Sequence, residues 1–541
     1  MNSLRIASKA SRFDSLGKLN NSYSSLANPE TSEVTTFSNG LKIVSENKPG
    51  HFAAIGFYVD AGSRYESPST YGFSHLIDRL SFKTTQNKTS EQNSESIESL
   101  GGNISCFASR ECIMYQAAVF SESVKETVSL LGEVVFRPKF DSNEITQVKE
   151  GIPWELADIS SKPDIYLNEL FHELAYKGNT LGNPLLCPES QLELIDSEKL
   201  KAYHNMWFSP DRVVIAAIGV DHQKLVDLCK QAGFDSLPKF VPSTNDQTPE
   251  PDLITKKKKE KEAGGFFSGF SKSLGLSSDE IIESETDLFK KSFEKSNYTG
   301  GIEFIQNDEA EFTNLQIGFE SVGVRDEKKL YAYAALQMLL GGGGSFSAGG
   351  PGKGMYSRLY TRVLNQYAWV ESCLAFHNCY TDSGVFGISA SCRKGSEHQM
   401  LETCIREILV VANSKSSSKS SQPANLKSNA MRNIGLLQSK VLTDEEVNRA
   451  KNMLKSSLLM NMESRIVQLE DLGRQIQVLG FKNTAEHVAS NIDLITADDL
   501  ASAASDLLKS PVTMLASGKV EGLQKFSYNM LSYHGIKIPT Q

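Results

Sequence analysis

The stretch from Gly72 to Leu80 combines a histidine with charged residues at helical spacing. Its apolar positions predict a short helix, with Ser74 placed to cap the N-terminus. Residues four apart share a helix face, so His75 and Arg79 are expected to project together, with Asp78 beside them. A histidine and a carboxylate in this arrangement suit metal binding or proton transfer. The alternative is an ordinary turn of surface helix without chemistry.

The run from His75 to Arg79 reads HLIDR and resembles the H-x-x-E-H signature of the inverted zinc metallopeptidases. In that signature both histidines bind Zn²⁺ and the glutamate is the general base. The third ligand of the family is a glutamate about 76 positions beyond the second histidine, and the resemblance carries that role to Glu155. The chain therefore holds a degenerate form of the whole site, made of His75, Asp78, Arg79 and Glu155.

Arg79 stands where the family has its second histidine ligand. A zinc ligand must offer a lone pair, whereas a guanidinium has only N–H donors and stays protonated at physiological pH. Asp78 is also shorter than the glutamate that it replaces. We expect no metal and no catalytic residue on this chain, with Arg79 paired instead to Glu155 or Asp78.

The run from Gly341 to Gly354, GGGGSFSAGGPGKG, has eight glycines in fourteen residues. It is predicted to join two helices, Leu330–Leu340 and Met355–Leu364. A phosphate-binding loop is excluded, because Ser347 stands at its first glycine and Gly354 at its serine or threonine. A long glycine-rich loop inside one domain exposes many backbone groups, so we expect it to guide an extended peptide.

The glycine-rich run and the residues after it, MYSRLY and LNQYAWVESCLAFHNCYTDSGVFGI, are similar almost residue for residue to the non-catalytic subunits of the mitochondrial processing peptidases, within the pitrilysin-like family. The resemblance extends from Asn39 to the C-terminus and includes Ala61–Glu66 and Tyr298–Gly301. It implies a chain that recognises presequences of imported proteins in the mitochondrial matrix. It also implies a heterodimer with a zinc-bearing beta subunit and no cofactor on this chain.

The same resemblance implies which residues bind the presequence. They are the glycine-rich run and the methionine that follows it: Gly341, Gly342, Gly343, Gly344, Ser345, Phe346, Ser347, Ala348, Gly349, Gly350, Pro351, Gly352, Lys353, Gly354 and Met355. Lys353 has the wrong charge for a basic peptide. We expect it to contact peptide carbonyls or a carboxylate of the partner.

Two halves of the chain repeat one pattern of strands. Gly40–Val44 followed by Ile55–Phe57 has a counterpart in Gly301–Ile305 followed by Ile317–Phe319. Alternating apolar residues are broken by polar turn clusters in both places, so each pair is predicted to form a β-hairpin.

A second repeat concerns helix starts. Phe140–Lys149 and Leu442–Lys451 both read as the beginning of a helix, with Asp141 and Thr443 as the capping residues. The repeats in the same order predict an α+β fold with two homologous domains, each a mostly antiparallel sheet packed with helices.

Four segments follow from composition. The first, residues 1–33, is predicted to be a mitochondrial presequence with a mobile N-terminus, because residues 1–29 are serine-rich and carry four basic residues against one acid. The predicted N-terminal domain covers 34–240 and the C-terminal domain 298–541. The intervening segment, 241–297, carries prolines, a lysine run and a Gly/Ser/Phe stretch, and is predicted to be an insertion or linker.

The overall composition excludes several classes of function. The 541 residues are 40% hydrophobic and 22% charged, with a net charge of −9. An acidic chain is unfavourable for nucleic acid and suits a basic peptide. No apolar run is long enough to span a bilayer. The eight cysteines are scattered and are expected to be reduced thiols in the core.

Two other functions fit the same resemblance. A structural core subunit of the cytochrome bc1 complex descends from the same fold and also lacks the zinc, but has no need of the glycine-rich run. An independently active zinc endopeptidase is the other, and Arg79 argues against it.

Overall fold

The structure is a computed structural model that describes residues 32–241, 289–290, 293–342, 355–414 and 442–539. Three predicted features lie largely outside the described residues: the presequence at 1–33, the insertion at 241–297, and positions 343–354 of the glycine-rich run. We call residues 32–241 the first half and residues 293–539 the second half.

One sheet contains the strands of the first half. These are β1 to β6 in chain order: Glu33–Thr36, Lys42–Glu46, Phe52–Val59, Asn103–Ala108, Ile113–Phe120 and Val213–Ile218. Their spatial order is β1-β2-β6-β3-β5-β4. Strands β2 and β6 are parallel, and the other neighbours are antiparallel.

The second half forms a sheet of the same design. Its strands are β7 to β11: Gly301–Gln306, Phe312–Ser321, Val370–Cys379, Gly384–Arg393 and Thr513–Gly518. They lie in the order β7-β11-β8-β10-β9, again with one parallel pair, β7 and β11, at the start. Apart from the extra strand β1, the two sheets have the same order and directions, which confirms the predicted duplication.

The predicted hairpins are wrong in both halves. The segments predicted to pair, at Gly40–Val44 and Ile55–Phe57, belong to β2 and β3, but β6 lies between them. In the second half β11 separates β7 from β8 in the same way. In each sheet a strand from much later in the chain inserts between the two segments, and a local turn pattern carries no signal for that insertion.

Helices cover these sheets. In the first half they are α1 to α7: Phe73–Arg79, Ser90–Leu100, Val124–Phe136, Ser142–Ser160, Pro163–Ala175, Ser197–Trp207 and His222–Gln231. In the second half they are α8 to α14: Glu327–Leu340, Glu397–Ala412, Asp444–Asn461, Arg465–Val478, Ala485–Asp493, Ala497–Leu507 and Leu523–Tyr533.

The two helix starts predicted at Asp141 and Thr443 are correct. The Asp141 side chain accepts from the Asn143 N–H at the start of α4, and Thr443 forms a capping box with Glu446 at the start of α10. The helix predicted at Met355–Leu364 begins later, because residues 355–357 form a turn, and its last part, Tyr360–Leu364, is π-helical.

Each half packs a helix on the other half's sheet. Leu469, Leu472 and Ile476 of α11 lie against the face of the first sheet around Tyr58. In return, α5 packs against the second sheet, with Phe171 buried beside Leu515 and Val385. Since both sheets have their second face covered by the opposite half, the apolar layers of the two halves are interlocked.

Two sequence-based expectations concern the cysteines and the apolar character of the helices. All eight cysteines are free thiols, and six of them are buried. Within the residues that the structure describes, no helix combines the length and the apolar character that a bilayer span requires.

Candidate functional site

Helix α1 carries the first part of the degenerate site and is held at its N-terminus by a buried glutamate. Ser74 was predicted as the cap but lies inside the helix, and Gly72 is the capping residue, with φ of 86°. The Glu66 carboxylate accepts hydrogen bonds from the Gly72 N–H at 2.8 Å and from the Ser74 N–H and hydroxyl at 2.7 and 2.6 Å. Three such bonds fix the direction in which α1 presents His75.

Burial raises the pKa of Glu66 to about 7, while the bonds from Ser74 and Gly72 act in the opposite direction. A buried carboxylate is expensive unless it is well bonded. The helix start therefore depends on these three donors remaining in place.

His75 is buried, and its two ring nitrogens have different partners. Its Nδ1 accepts from the backbone N–H of Cys187 at 3.1 Å, and its Nε2 lies 3.4 Å from Glu155 Oε1. Because Nδ1 uses its lone pair for the Cys187 N–H, the proton of the neutral ring lies on Nε2 and points at Glu155. A histidine that binds metal through Nε2 needs the opposite tautomer, with Nδ1 as the donor.

Arg79 bridges both acidic members of the site. Its Nε and Nη2 bond to the two oxygens of Glu155 at 3.1 and 2.5 Å, and its Nη1 bonds to Asp78 Oδ2 at 2.6 Å. This fork-shaped pairing is the strong form of an arginine–carboxylate contact. The predicted pairing of Arg79 with Glu155 or Asp78 is confirmed, since Arg79 bonds to both.

The carboxylates of the site are held in different states. The hydrogen bonds from His75 and from Arg79 hold the pKa of Glu155 at about 2. Burial raises the pKa of Asp78, against the lowering effect of Cys106 and Arg79. Glu155 is therefore a fixed anion whose charge is already neutralised by the guanidinium.

These residues do not fit a catalytic zinc ion. Arg79 has no lone pair at the position of the second ligand, and His75 presents an N–H where a lone pair is required. The Glu155 oxygens are engaged by the guanidinium. More widely, the described part of the chain contains no group of three or more His, Cys, Asp or Glu residues placed to hold a metal. The arrangement is a hydrogen-bonded cluster with no group free to activate water.

The ends of the glycine-rich run are the described part of the predicted peptide-binding segment. Gly341 ends α8 with φ of 136°, and both Gly341 and Gly342 donate their N–H to the Gln337 carbonyl. A Cβ at Gly342 would lie 2.1 Å from Gln337 Cγ and 2.6 Å from the Ala375 carbonyl oxygen. These two glycines are therefore required to leave the helix beside edge strand β9, whereas Met355 lies in a turn on the far side of the gap.

Sequence reasoning missed two groups that shape the site. The family resemblance includes Glu66 only as the last residue of the run Ala61–Glu66, yet the Glu66 carboxylate fixes the start of α1. The backbone N–H of Cys187, which lies 112 residues further along the chain, determines the tautomer of His75 by donating to its Nδ1. Helix α1 has no capping side chain at Gly72, and an acidic residue shortly before such a helix is a signal that points to Glu66. No local pattern in the sequence identifies the contact from Cys187.

Comparisons with known families match most of the chain. The model of the insulinase family, peptidase family M16, matches residues 42–189, and that of the peptidase M16 inactive domain matches residues 195–419. The first match includes all four residues of the degenerate site. The second begins just before α6 and includes the whole glycine-rich run.

Several curated relatives cover nearly the full length. The mitochondrial-processing peptidase subunit alpha of Neurospora crassa is 38% identical over 92% of this chain and 88% of its own length. The Solanum tuberosum protein of the same name is 33% identical, and the Homo sapiens one 29%, each over 92% of this chain and 84% and 83% of their own length. The chain therefore belongs to peptidase family M16, the insulinase family, and within it to the group of mitochondrial-processing peptidase alpha subunits.

Proposed function

We propose that this chain is the substrate-recognising, non-catalytic subunit of a mitochondrial processing peptidase. It binds basic presequences, and a zinc-bearing beta subunit cleaves them. The observation that carries the proposal is the Arg79 guanidinium, which takes the place of a zinc ligand and bonds to both carboxylates of the site. A chain with this cluster needs a second polypeptide for hydrolysis.

The composition and the relatives support this role over the alternatives. The net charge of −9 suits a basic peptide ligand. The relatives named above are called subunits of a processing peptidase, which favours this function over a structural core subunit of the cytochrome bc1 complex. We place the complex in the mitochondrial matrix, because imported presequences are removed where they emerge.

We assign presequence contact to the glycine-rich run, Gly341–Gly354, together with Met355. Two points support the assignment. Gly341 and Gly342 are held against α8 and β9, so the run starts from a fixed point beside an edge strand. Glycines leave backbone N–H and C=O groups open to an extended peptide, and Phe346 and Met355 add apolar contacts.

A deletion tests this assignment. Removing residues 343–350 preserves Gly341 and Gly342 and hence the end of α8. In the complex with the zinc-bearing partner, we expect the deletion to weaken binding of a labelled presequence peptide by about tenfold or more, which corresponds to the loss of only about 1.4 kcal/mol.

The matched control keeps the length of the run but replaces its side chains, with Phe346 and Lys353 both changed to Ser. This control separates loss of backbone contacts from loss of these two side chains. Binding by the deletion variant at the affinity of the unmodified complex contradicts a role of the run in recognition.

A further inference from the structure

A cavity adjoins the degenerate site without being part of it. It is lined by α4, α5 and the segment at 183–188, and its empty space of about 560 Å³ includes space open to solvent. Leu156, which follows Glu155, and Cys187, whose N–H bonds to His75, both belong to its wall.

The wall is mostly apolar, and its polar side chains are Asn183 and a few groups on α5. Leu156, Ile159, Leu170 and Leu186 provide much of the apolar surface. Two carboxylates one helical turn apart, Glu169 and Glu173, face the same space. An apolar chamber with charged groups at one side suits a ligand that has an apolar stem and a charged head.

The two carboxylates differ in what neutralises them. Glu169 accepts from both terminal nitrogens of Arg110, at 3.1 and 3.0 Å. Glu173 is partly buried, and none of the described residues donates a hydrogen bond to it or forms an ion pair with it. The nearby cation is thus already used by Glu169, and Glu173 is left as a carboxyl without a counter-ion.

The surroundings of Glu173 make this state costly. Burial and the acidic neighbours Glu303 and Glu169 raise the pKa of Glu173 to about 8, and only Arg110 acts against them. Tyr166 also lies nearby, and its pKa is raised by burial, by Glu303 and by Glu173. Lys177 acts on Glu303, whose pKa it lowers against the effect of burial. Burial of a carboxyl without a partner destabilises a protein, and a cationic ligand in the cavity would supply the missing partner.

We propose that this cavity binds one arginine side chain of the presequence, with Glu173 as its counter-ion. The apolar wall takes the methylene stem, and the carboxylate takes the guanidinium in a forked pair. Arginine is favoured over lysine because its charge is more weakly hydrated and its planar group matches a carboxylate. The inference rests on the proposed function and adds to it a side-chain pocket distinct from the glycine-rich run.

Binding is expected to be coupled to proton release. At pH 7 the empty cavity holds Glu173 mostly protonated, whereas a bound guanidinium favours the carboxylate. The complex therefore binds fewer protons than the free protein, and affinity rises as the pH increases from about 6 to 9.

A peptide with the sequence of residues 1–20 of this chain is a suitable probe, since it contains two arginines, Arg5 and Arg12, in a presequence-like segment. Affinity is measured for the complex with its zinc-bearing partner, using this peptide and versions with neutral citrulline at either arginine. Three forms of the chain are compared: unmodified, Glu173→Gln, and Glu126→Gln. Glu126 is exposed on α3 and controls for the loss of one negative charge.

We expect Glu173→Gln to weaken binding of the parent peptide by about tenfold, in line with a charge-assisted hydrogen bond. One citrulline peptide should bind the unmodified complex as weakly as the parent peptide binds the Glu173→Gln complex. Glu173→Gln should not weaken the binding of this citrulline peptide further, because both changes remove the same ion pair. Calorimetry in buffers of different ionisation enthalpy should detect a released proton at pH 7 for the unmodified and Glu126→Gln forms only. The glutamine is isosteric with the protonated acid, so the fold is preserved.

The outcomes separate the two levels of the proposal. Equal affinity of Glu173→Gln and the unmodified complex for all peptides, or additive losses with both citrulline peptides, overturns the pocket and leaves the proposed function intact. Failure of the unmodified complex to bind the parent peptide contradicts the proposed function itself.

Discussion

The guanidinium of Arg79 bonds to two carboxylates at a position where related active peptidases need a lone-pair donor. The four members of this cluster could be predicted because HLIDR resembles the family signature and because the resemblance implies a third ligand position 76 residues beyond Arg79, at Glu155. The pairing itself follows from charge. The tautomer of His75 does not follow, since it depends on a backbone N–H that only the fold brings close.

A pH-dependent stability experiment tests the Arg79–Glu155 pair. The hydrogen bonds from His75 and Arg79 hold the pKa of Glu155 at about 2 in the folded chain, against 4.5 without them. A lowered carboxyl pKa contributes stability that is complete above about pH 4.5 and is lost as the pH falls towards 2. Arg79→Gln removes one of the two causes, so its effect is expected to follow the same pH range.

We expect Arg79→Gln to lower the free energy of unfolding by about 1 kcal/mol or less at pH 7, because the pair is partly exposed. The difference from the unmodified chain should shrink as the pH falls below 4.5. Urea unfolding between pH 3 and 7 measures it, with the exposed Lys201→Gln as a charge-matched control. A difference that stays constant or grows towards pH 3 contradicts the assigned pairing.

At the scale of elements, the sequence predicts which segments form strands and helices better than it predicts their neighbours. The segments around β2, β3, β7 and β8 are strands as expected, and α4 and α10 begin at the predicted caps. The predicted pairing was wrong because β6 and β11, which come from far along the chain, insert between the segments that were expected to pair. Capping is decided within four residues, whereas strand order is decided by packing of the whole half.

The exchange of helices between halves gives a prediction at this scale. Gly473 lies in α11 against the ring of Tyr58, and a Cβ there would come within 2.2 Å of Tyr58 Cε2. Tyr58 is fully buried and cannot move aside. Gly473→Ala is therefore expected to destabilise the chain by about 1–3 kcal/mol through overpacking.

Gly151 is the matched control, because it lies inside α4 with no atom within 4 Å of an added Cβ. Gly151→Ala is expected to stabilise the chain by about 0.5–1 kcal/mol through helix propensity. Thermal and urea unfolding of both variants measure the effects. Equal effects of the two substitutions contradict the close packing of α11 on the first sheet.

At the scale of the whole molecule, a buried charge cluster joins the halves. Arg64 bonds to Glu111 at 2.6 Å within the first half and to both oxygens of Asp382, at 2.8 and 2.7 Å, in the second. Burial raises the pKa of Asp382, but the hydrogen bonds from Arg64 and Ser296 and the positive charge of Arg64 together outweigh it, so the pKa of Asp382 is lowered. Because one guanidinium bonds to acids of both halves, the two halves are tied together near α1.

The sequence repeats indicate the duplication, and family resemblance indicates the role, but neither indicates how the halves interlock. Arg64 and Glu66 lie in a run that matched the family as a block, and the structure gives them separate tasks. Arg64 links the halves, whereas Glu66 fixes the start of α1. Both tasks depend on partners distant in sequence, which is why the motif alone does not reveal them.

The central claim is that hydrolysis requires a second polypeptide, and a cleavage assay on the purified chain tests it most directly. A presequence peptide is incubated with this chain alone, with and without added Zn²⁺, and with the chain plus the proposed zinc-bearing beta subunit. The account predicts no cleavage by the chain alone under either condition, and cleavage by the pair that a chelator abolishes and Zn²⁺ restores. Cleavage by the isolated chain, lost to a chelator and recovered with Zn²⁺, contradicts the account.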